Sequence, residues 1–222
     1  MRKSPVAPPS EPGRDCPLCP RLAAFRCEAR ASEPAWHNAP VPSFGDARAR
    51  LLIVGLAPGM RGANRTGRPF TGDFAGDLLY ATLLSYGFAT GVYDARPDDG
   101  LSLIDCRISN AVRCVPPQNK PLPVEIAACR PFLQATLATM PRLSAMVALG
   151  KIAHDSVVRT LGGVLSHHPF GHGAQHNFQR PDGAPLRLFD SYHCSRYNTN
   201  TGVLTPAMFN DVFDAVQVHL RA

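Results

Sequence analysis

Two continuous apolar runs, each ending at a glycine, constrain the fold of this chain more than any other feature of its sequence. Residues 51–54 (LLIV) end at Gly55, and residues 144–149 (SAMVAL) end at Gly150. A strand that is apolar on both faces must be covered on both faces, as in a parallel sheet that lies between helices. Ligands bind such sheets beyond the carboxyl ends of the strands, so the loops after these two runs are candidates for a binding site.

The rest of the chain alternates helices with two shorter strands. The predicted elements are, in order, a helix over residues 77–85, a strand over 107–112, a helix over 126–140, a helix after Lys151, a strand over 186–189 and a helix from Pro206. Pro131 is expected to kink or divide the second of these helices. Thr205 before Pro206 is typical of a helix start. The alternation predicts a three-layer α/β/α sandwich around a small, mainly parallel sheet of four strands.

Length and composition favour one folded unit with a basic surface. The chain has 222 residues, a formal net charge of +6 and a pI near 9.1, which favours a polyanionic partner. Residues 1–14 contain four prolines and are predicted to be a disordered tail, whereas residues 15–222 are predicted to form a single domain. No run approaches about 18 apolar residues, so the chain is expected to be soluble and cytoplasmic, without a membrane span. It is also expected to be a monomer.

Seven cysteines require an explanation other than disulfides, because no signal-peptide-like apolar run begins the chain and a reducing compartment keeps thiols free. The four that suit a shared site are Cys16, Cys19, Cys114 and Cys129. Four thiolates fit either tetrahedral zinc or an iron–sulfur cluster by number. Buried thiols without a ligand are the alternative, since cysteine packs like a small apolar residue. The three assigned to that ordinary class are Cys27, Cys106 and Cys194.

Six short motifs occur in order along the chain. They are Cys16-x-x-Cys19, GLAPG at 55–59, RGANRTGRPFTGD at 61–73, NAVRCVPP at 110–117, CRP at 129–131 and HCSRYNTNTG at 193–202. Together they resemble the type-b, or family 5, uracil-DNA glycosylases, and the resemblance covers roughly residues 14–220. The ordered set is far more specific than any single motif.

The resemblance implies an activity and a cofactor. The expected enzyme is a monofunctional DNA glycosylase of base excision repair, which flips uracil out of DNA and hydrolyses its N-glycosidic bond. Hypoxanthine and other deaminated or damaged bases are expected as further substrates. The resemblance also implies a [4Fe–4S] cluster on Cys16, Cys19, Cys114 and Cys129, which favours iron over zinc. No lysine is marked as a Schiff-base nucleophile, so lyase activity is not expected.

Two residues are expected to carry the catalysis. The resemblance assigns a catalytic role to Asp73, whose anion could orient water and stabilise positive charge on the sugar; an N-cap role is the alternative. His193 is expected to donate a hydrogen bond to the departing base. In related enzymes the position of Leu56 carries a polar residue that positions the water, which leucine cannot do. Cys194 stands where proline is typical, which puts the rigidity of that loop in doubt.

Other residues of the same motifs are expected to hold the base and the DNA. The predicted base pocket consists of Gly55, Ala57, Phe70 and Asn110. Phe70 offers a flat face for stacking or else packs in the core, and the Asn110 amide matches the donor and acceptor edge of uracil, with Asn119 as a rival. The predicted phosphate contacts are Arg65, Arg68, Ser195 and Arg196. Either Tyr197 or Asn198 is predicted to enter the gap in the duplex.

Two other function classes stay open at this point. A cluster-bearing nucleic-acid binder without catalysis would explain the leucine at position 56, and release of base from uracil-containing DNA would separate it from an enzyme. A nucleotide-binding switch built on residues 55–59 is less favoured, because the Gly-Lys-Ser/Thr phosphate signature is absent. Four histidines are interpreted as part of a flexible loop on the DNA face rather than as a metal site: His167, His168, His172 and His176.

Overall fold

A six-stranded sheet forms the centre of the fold in the computed structural model, which describes residues 11–180 and 182–221. The described residues form eight strands, of which six belong to this sheet. They are β1 (Phe44–Gly45), β2 (Leu51–Gly55), β3 (Ala89–Thr90), β4 (Ser102–Leu103), β5 (Cys106–Asn110), β6 (Ala145–Leu149), β7 (Gln175–Gln179) and β8 (Pro185–Ser191). The order in the sheet is β1-β5-β2-β6-β8-β7, with four parallel central strands and an antiparallel strand at each edge. β3 and β4 pair separately.

The described helices are α1 (Pro20–Ser32), α2 (Ala63–Thr66), α3 (Phe74–Ser85), α4 (Pro123–Ala138), α5 (Lys151–Thr160), α6 (Arg196–Asn200) and α7 (Pro206–Arg221), with short 3-10 turns at Pro117–Asn119 and Leu165–His167. Four of these helices, α3, α4, α5 and α7, cover the two faces of the sheet. Alternate residues of β2 face opposite layers: Leu51 and Ile53 pack with α3 and α7, whereas Leu52 and Val54 pack with α4 and α5. This burial on both faces confirms the predicted three-layer sandwich.

The predicted number of four strands is wrong, because the sheet has six. All four predicted strands are present, as β2, β5, β6 and β8. The two that the sequence pattern misses lie at the edges, where a strand needs no continuous apolar run. β1 has only two residues, and β7 has the polar sequence QHNFQ, in which only every second residue is half-buried.

Two helices also differ from the sequence-based expectation. Pro131 does not divide α4, which continues through it to Ala138. α1 is not predicted by apolar spacing, because only three of its residues are buried and one of them is the charged Arg26. Within the described ranges, no helix has both the length and the apolar character needed to cross a membrane.

Part of the predicted disordered tail belongs to the folded unit. Residues 1–10 lie outside the described residues, but Glu11 accepts hydrogen bonds from Arg113 (2.7 Å) and from the backbone amide of Ser43 (3.1 Å). The ion pair balances the charge of Arg113, whose side chain is only 1% exposed. The predicted end of the tail at residue 14 is therefore wrong, because a buried arginine needs this carboxylate.

Three parallel strands end where the candidate site lies. β2 ends at Gly55, which pairs with Asn110 at the end of β5. The backbone carbonyls of residues 55 and 56 accept hydrogen bonds from the amides of residues 111 and 112 (2.9 Å each). β8 ends at Ser191, two residues before His193, and its carbonyl accepts a hydrogen bond from Gly150 (2.8 Å). Loops from distant parts of the sequence thus meet at the carboxyl ends of these strands.

Candidate active site

A cleft of about 690 Å³ opens at the carboxyl ends of the parallel strands. Its walls come from the loop after β2, the segment before α3, the end of β5 and the loop between β8 and α6. The predicted site residues that line it are Ala57, Phe70, Asp73, Asn110, Asn119, His193, Ser195 and Arg196. The structure therefore brings residues from four of the six motifs into one cavity.

Gly55 lies behind two side chains that line the cleft, Phe70 and Asn110. A Cβ atom at this position would lie 2.5 Å from both Asn110 Oδ1 and Phe70 Cζ, so only glycine lets these side chains approach the strand end so closely. The Phe70 backbone has a φ of +51°, and its carbonyl accepts a hydrogen bond from the Tyr93 hydroxyl (3.2 Å). The centroids of the Phe70 and His193 rings are 6.0 Å apart. Phe70 thus both packs in the core and presents an aromatic surface to the cleft.

The Asn110 side chain offers an unused hydrogen-bond acceptor at the bottom of the cleft. Asn110 is 3% exposed, and its Oδ1 atom is buried with no hydrogen-bond partner among the described residues. A buried amide oxygen without a partner is costly unless a ligand or water completes it. The rival Asn119 is exposed on the 3-10 turn at the rim. The geometry favours Asn110 over Asn119 for contact with a bound base.

Asp73 carries a carboxylate that the described protein groups leave unsatisfied. The residue occupies the N-cap position of α3, but its side chain makes no capping hydrogen bond, and Oδ1 is buried without a partner among the described residues. Oδ2 lies against Gly59 and Gly62, and a Cβ atom at Gly62 would overlap it. Burial raises the pKa of Asp73 above its ordinary value of 3.8, although the nearby amides of Gly76 and Ala75 oppose this shift. Asp73 therefore takes the N-cap position, where the amides of the first helical turn favour its anion, and this role is compatible with a role in the cleft.

His193 lines the same cleft with a half-buried ring. Its main-chain carbonyl accepts a hydrogen bond from Asn198 Nδ2 (2.8 Å), whereas its ring nitrogens have no hydrogen-bond partner in the described part of the chain. Burial lowers the pKa of His193 below its ordinary value of 6.5, which favours the neutral ring at neutral pH. A neutral imidazole still donates one N–H, so the ring is available to an oxygen atom of a ligand.

These two shifts predict the pH dependence of a reaction that uses Asp73 as an anion and His193 as a neutral donor. The single-turnover rate should rise with pH through the raised pKa of Asp73, above 3.8, as the carboxylate loses its proton. It should then stay level from about pH 6.5 to 8, because His193 is already neutral. A pH–rate profile at saturating enzyme measures this. A fall in rate as the pH rises through the lowered pKa of His193, below 6.5, would show that His193 acts as a cation instead.

The short helix α6 distinguishes the two side chains predicted to enter DNA. Ser195 is its N-cap, and the Ser195 hydroxyl accepts a hydrogen bond from the backbone N–H of Asn198 (3.4 Å). The Asn198 side chain is bonded to the His193 carbonyl, so it supports the loop rather than reaching outward. Tyr197 is 74% exposed, and Arg196 is exposed at the rim of the cleft. Tyr197 is therefore better placed than Asn198 to enter a duplex.

The prediction that Arg68 contacts a phosphate is wrong. Its guanidinium makes a two-pronged ion pair with Asp99 (2.7 and 2.8 Å) and lies 5.3–5.8 Å from the rings of Phe44, Tyr80 and Tyr93. Only 5% of Arg68 is exposed. An arginine in a glycine-rich loop has the pattern of a phosphate ligand, but here a carboxylate 31 residues away holds it in the core.

Two other arginines of the same motif are exposed. Arg65 donates from Nε to the Arg61 carbonyl (2.9 Å) and stays a candidate for a phosphate contact. Arg61 itself lines the cleft, although the sequence-based interpretation does not single it out. A signal for it exists, because Arg61 begins the arginine-rich motif two residues after the GLAPG turn.

The two departures from the family pattern have structural consequences. Leu56 lines the cleft with an apolar side chain, which cannot hold a water molecule by a hydrogen bond. Cys194 is fully buried, and its Sγ donates to the Ala75 carbonyl (3.4 Å), which ties the loop after β8 to α3. This tertiary contact restrains a loop that lacks the backbone restriction of proline.

One small cavity between α1, α4 and the segment after β5 is lined by all four predicted ligand cysteines, namely Cys16, Cys19, Cys114 and Cys129. Burial raises the pKa of Cys19 to about 11 and that of Cys129 to about 12, so these thiols keep their protons unless a cation displaces them. Of the cysteines assigned to no site, Cys106 and Cys194 are buried, whereas Cys27 is exposed.

The donor set fits an iron–sulfur cluster better than a single zinc ion. Sulfur ligands on one tetrahedral zinc lie about 3.8 Å apart, given Zn–S distances of about 2.3 Å. Among the described residues, the only group with three ligand atoms within 4.8 Å of one another surrounds Asp190, so the four sulfurs are spread more widely. Two N–H groups also point at sulfur, from the Arg113 amide to Cys129 Sγ (3.3 Å) and from Arg26 to Cys114 Sγ (3.3 Å). Such hydrogen bonds are common around clusters.

The four histidines around residue 170 are not among the residues that line the cleft, and their place on a DNA face stays a prediction. His172 hydrogen-bonds to a carbonyl in α7 (3.1 Å). His176 lies in β7 and bonds to Asp190 (3.1 Å), which also pairs with His154 (2.8 Å). His154 and Asp190 are fully buried. These hydrogen bonds join α5, β7 and β8, so His154 and His176 stabilise the packing of these three elements.

Comparison with known proteins supports the grouping of these motifs. The family model of the uracil DNA glycosylase superfamily matches residues 42–217. A type-5 uracil-DNA glycosylase of Thermus thermophilus is 46% identical over 203 residues, covering 89% of this chain and 90% of that protein. Proteins of the same description from Mycobacterium bovis (43%; 89% and 75% covered) and Pyrobaculum aerophilum (39%; 86% and 83% covered) are also similar. The family match spans every cleft residue named above.

Proposed function

Because the chain belongs to the uracil-DNA glycosylase superfamily, with the type-5 enzymes as relatives, we propose that it excises uracil from DNA as part of base excision repair. One observation assigns the proposed activity to particular residues. A single cleft holds a carboxylate oxygen, an amide oxygen and an imidazole that lack partners among the described residues, beside an aromatic ring. A base with both N–H and C=O groups, attached to a sugar that becomes positively charged, matches these four groups.

The part of the cleft lined by Phe70 and Asn110 is assigned to the extruded base. Stacking in a duplex hides the edges of uracil, so the nucleotide must be flipped before the protein can contact them. Asn110 Oδ1 would accept the N3–H of uracil while its amide nitrogen donates to a neighbouring carbonyl, and Phe70 would stack on the ring. The N3 atom of cytosine carries no hydrogen, so the same oxygen disfavours cytosine. Hypoxanthine also presents an N–H beside a carbonyl, which supports it as a further substrate.

The reaction is assigned to Asp73 and His193. The C1′–N1 bond breaks with its electrons leaving on the base, and positive charge builds on the sugar. The Asp73 anion stabilises this charge and orients the water whose oxygen bonds to C1′, accepting a proton from it. His193 donates to a carbonyl oxygen of the departing base, where negative charge gathers. No lysine lines the cleft among the described residues, which supports hydrolysis rather than lyase chemistry.

A [4Fe–4S] cluster is assigned to the four cysteines. When bound, it would supply a structural cross-link rather than a reaction step, joining Cys16 and Cys19 at the start of α1 to Cys114 and Cys129. Ala57 lines the cleft and also packs against the small core that contains these cysteines. The cross-link would therefore support one wall of the cleft.

A DNA-binding protein without catalysis is the alternative, and release of the base separates the two functions. Labelled duplexes with one uracil or one hypoxanthine are incubated with the protein and then treated with mild alkali, which breaks the strand at abasic sites. Breaks at the modified position are expected, with a thymine duplex as the matched control. A strand that stays intact after alkali, although the duplex is bound, would favour the non-catalytic alternative.

Arg196→Gln should weaken binding to uracil-containing and normal duplexes alike. Arg196 is exposed at the rim of the cleft, and loss of one phosphate contact should reduce the slope of log K against log salt by about 1. Arg221→Gln is the matched control, because Arg221 lies at the amino ends of the strands, opposite the cleft. The carbonyl of its neighbour Leu220 accepts a hydrogen bond from Arg50, which directly precedes β2. Anisotropy titrations at several salt concentrations measure the effect. A loss confined to uracil-containing DNA would instead make Arg196 a base reader.

A further inference from the structure

Three arginines are buried in the described part of the chain, and one of them has no carboxylate partner there. The three are Arg26, Arg68 and Arg113. Arg68 is paired with Asp99, and Arg113 with Glu11. Arg26 is 3% exposed, and no described carboxylate lies within ion-pair distance of it. A buried cation without an anion is strongly destabilising, so the charge of Arg26 needs a counter-ion from another source.

The guanidinium of Arg26 faces the cysteine cavity. One terminal nitrogen donates to Cys114 Sγ (3.3 Å), and the other donates to the Cys16 carbonyl (3.0 Å). Its Nε atom is buried with no partner among the described residues, and the side chain forms part of the cavity wall. Asp15, next to Cys16 in sequence, is already paired with Arg30 (2.6 Å).

The position of Arg26 in α1 explains this contact. Cys19 is the N-cap of α1, and Arg26 follows seven residues later, which is two turns along the same face. Long side chains on a helix point back towards its amino terminus. The guanidinium is therefore directed to the end of the helix where Cys16 and Cys19 lie.

We propose that Arg26 is the buried counter-ion of the iron–sulfur cluster. This inference rests on the cluster proposed above. Four thiolates give such a cluster a net negative charge, which Arg26 balances through Cys114 while its Nε–H remains available to the cluster itself. Reduction adds one more negative charge, and a nearby cation stabilises it. Arg26 therefore raises the reduction potential of the cluster and slows the loss of iron.

Arg26→Met tests this role, because it keeps much of the side-chain volume and removes the charge. The reduction potential should shift to more negative values, and iron should be lost to a chelator faster, since removal of a partner of a metal ligand typically costs about 10–100-fold in metal affinity. Arg26→Lys keeps the charge, so its potential should stay closer to that of the wild type. Arg159→Gln is the matched control, because it removes the charge of an exposed arginine in the last turn of α5 that does not line the cysteine cavity.

The measurements are anaerobic spectroelectrochemistry, electron paramagnetic resonance of the reduced protein and the rate of iron release. Arg26→Met with the potential and release rate of Arg159→Gln would overturn the proposal. If the methionine variant does not fold, Arg26→Gln answers the same question, since it keeps polar hydrogens but no charge. Wild-type protein without iron would contradict the cluster and with it this role. Uracil release, assayed on the same preparation, reports separately on the glycosylase function.

Discussion

Asp73→Asn should lower the single-turnover rate of uracil release by on the order of 10²–10⁴, while the affinity for uracil-containing DNA changes little. The amide keeps the shape of the carboxylate but cannot carry the negative charge that orients water and stabilises the sugar. Folding should not suffer. Burial raises the pKa of Asp73, so the ionised carboxylate opposes folding as the pH rises above 3.8, and its removal should leave the thermal stability at pH 7 equal or higher.

Asp77→Asn is the matched control for this variant. Asp77 lies in the first turn of the same helix, α3, but its side chain is exposed and does not line the cleft. Its release rate should stay close to that of the wild type. Saturating enzyme is needed so that the chemical step rather than product release is measured. Rapid release by Asp73→Asn would remove Asp73 from the mechanism and leave His193 and the backbone of residues 55–59 to account for it.

Cys129→Ser should reduce the iron content from about four atoms per chain to almost none and lower the free energy of unfolding by several kcal/mol. The binding free energy of a structural metal centre contributes directly to folding, and here the centre would connect α1 to α4. The brown colour should be lost as well. Iron analysis and thermal unfolding of anaerobically prepared protein measure the two effects. The same result is expected for Cys16, Cys19 and Cys114.

Two other cysteines serve as controls for the iron site. Cys27 is exposed on α1, so Cys27→Ser should change neither iron content nor stability. Cys106 is fully buried in β5, away from the cavity, so Cys106→Ser should lower stability without loss of iron. Equal loss of iron from these variants and from Cys129→Ser would contradict the ligand assignment. Zinc without iron in the wild-type protein would contradict the cluster.

The elements that support the cleft are predictable because burial leaves a strong pattern in the sequence. β2 and β6 are covered on both faces, so their apolar runs identify them, and the ends of parallel strands bring Gly55 and Asn110 together. The edge strand β7 lacks such a pattern, because one of its sides has no neighbouring strand. The number of strands therefore exceeds the prediction, while the fold class does not change.

Partners far apart in sequence explain most errors about individual side chains. The pattern around Arg68 indicates a phosphate ligand, but Asp99 and three aromatic rings hold it in the core. Tyr197 and Asn198 are adjacent and both polar, and they are distinguished only in the folded protein, by the exposure of Tyr197 and by the hydrogen bond from Asn198 to the His193 carbonyl. Local spacing carries no information about such contacts, whereas motif order does predict which loops share the cleft.

Measurement of free uracil released from a duplex with a single uracil tests most directly whether this cleft hydrolyses the N-glycosidic bond. With excess wild-type enzyme, mass spectrometry should find about one free uracil per duplex and an abasic strand that stays intact until alkali is added. Borohydride should trap no enzyme–DNA adduct, and the Asp73→Asn variant should release almost no uracil in the same time. Uracil that is bound but never released by the wild-type enzyme would contradict the proposed function.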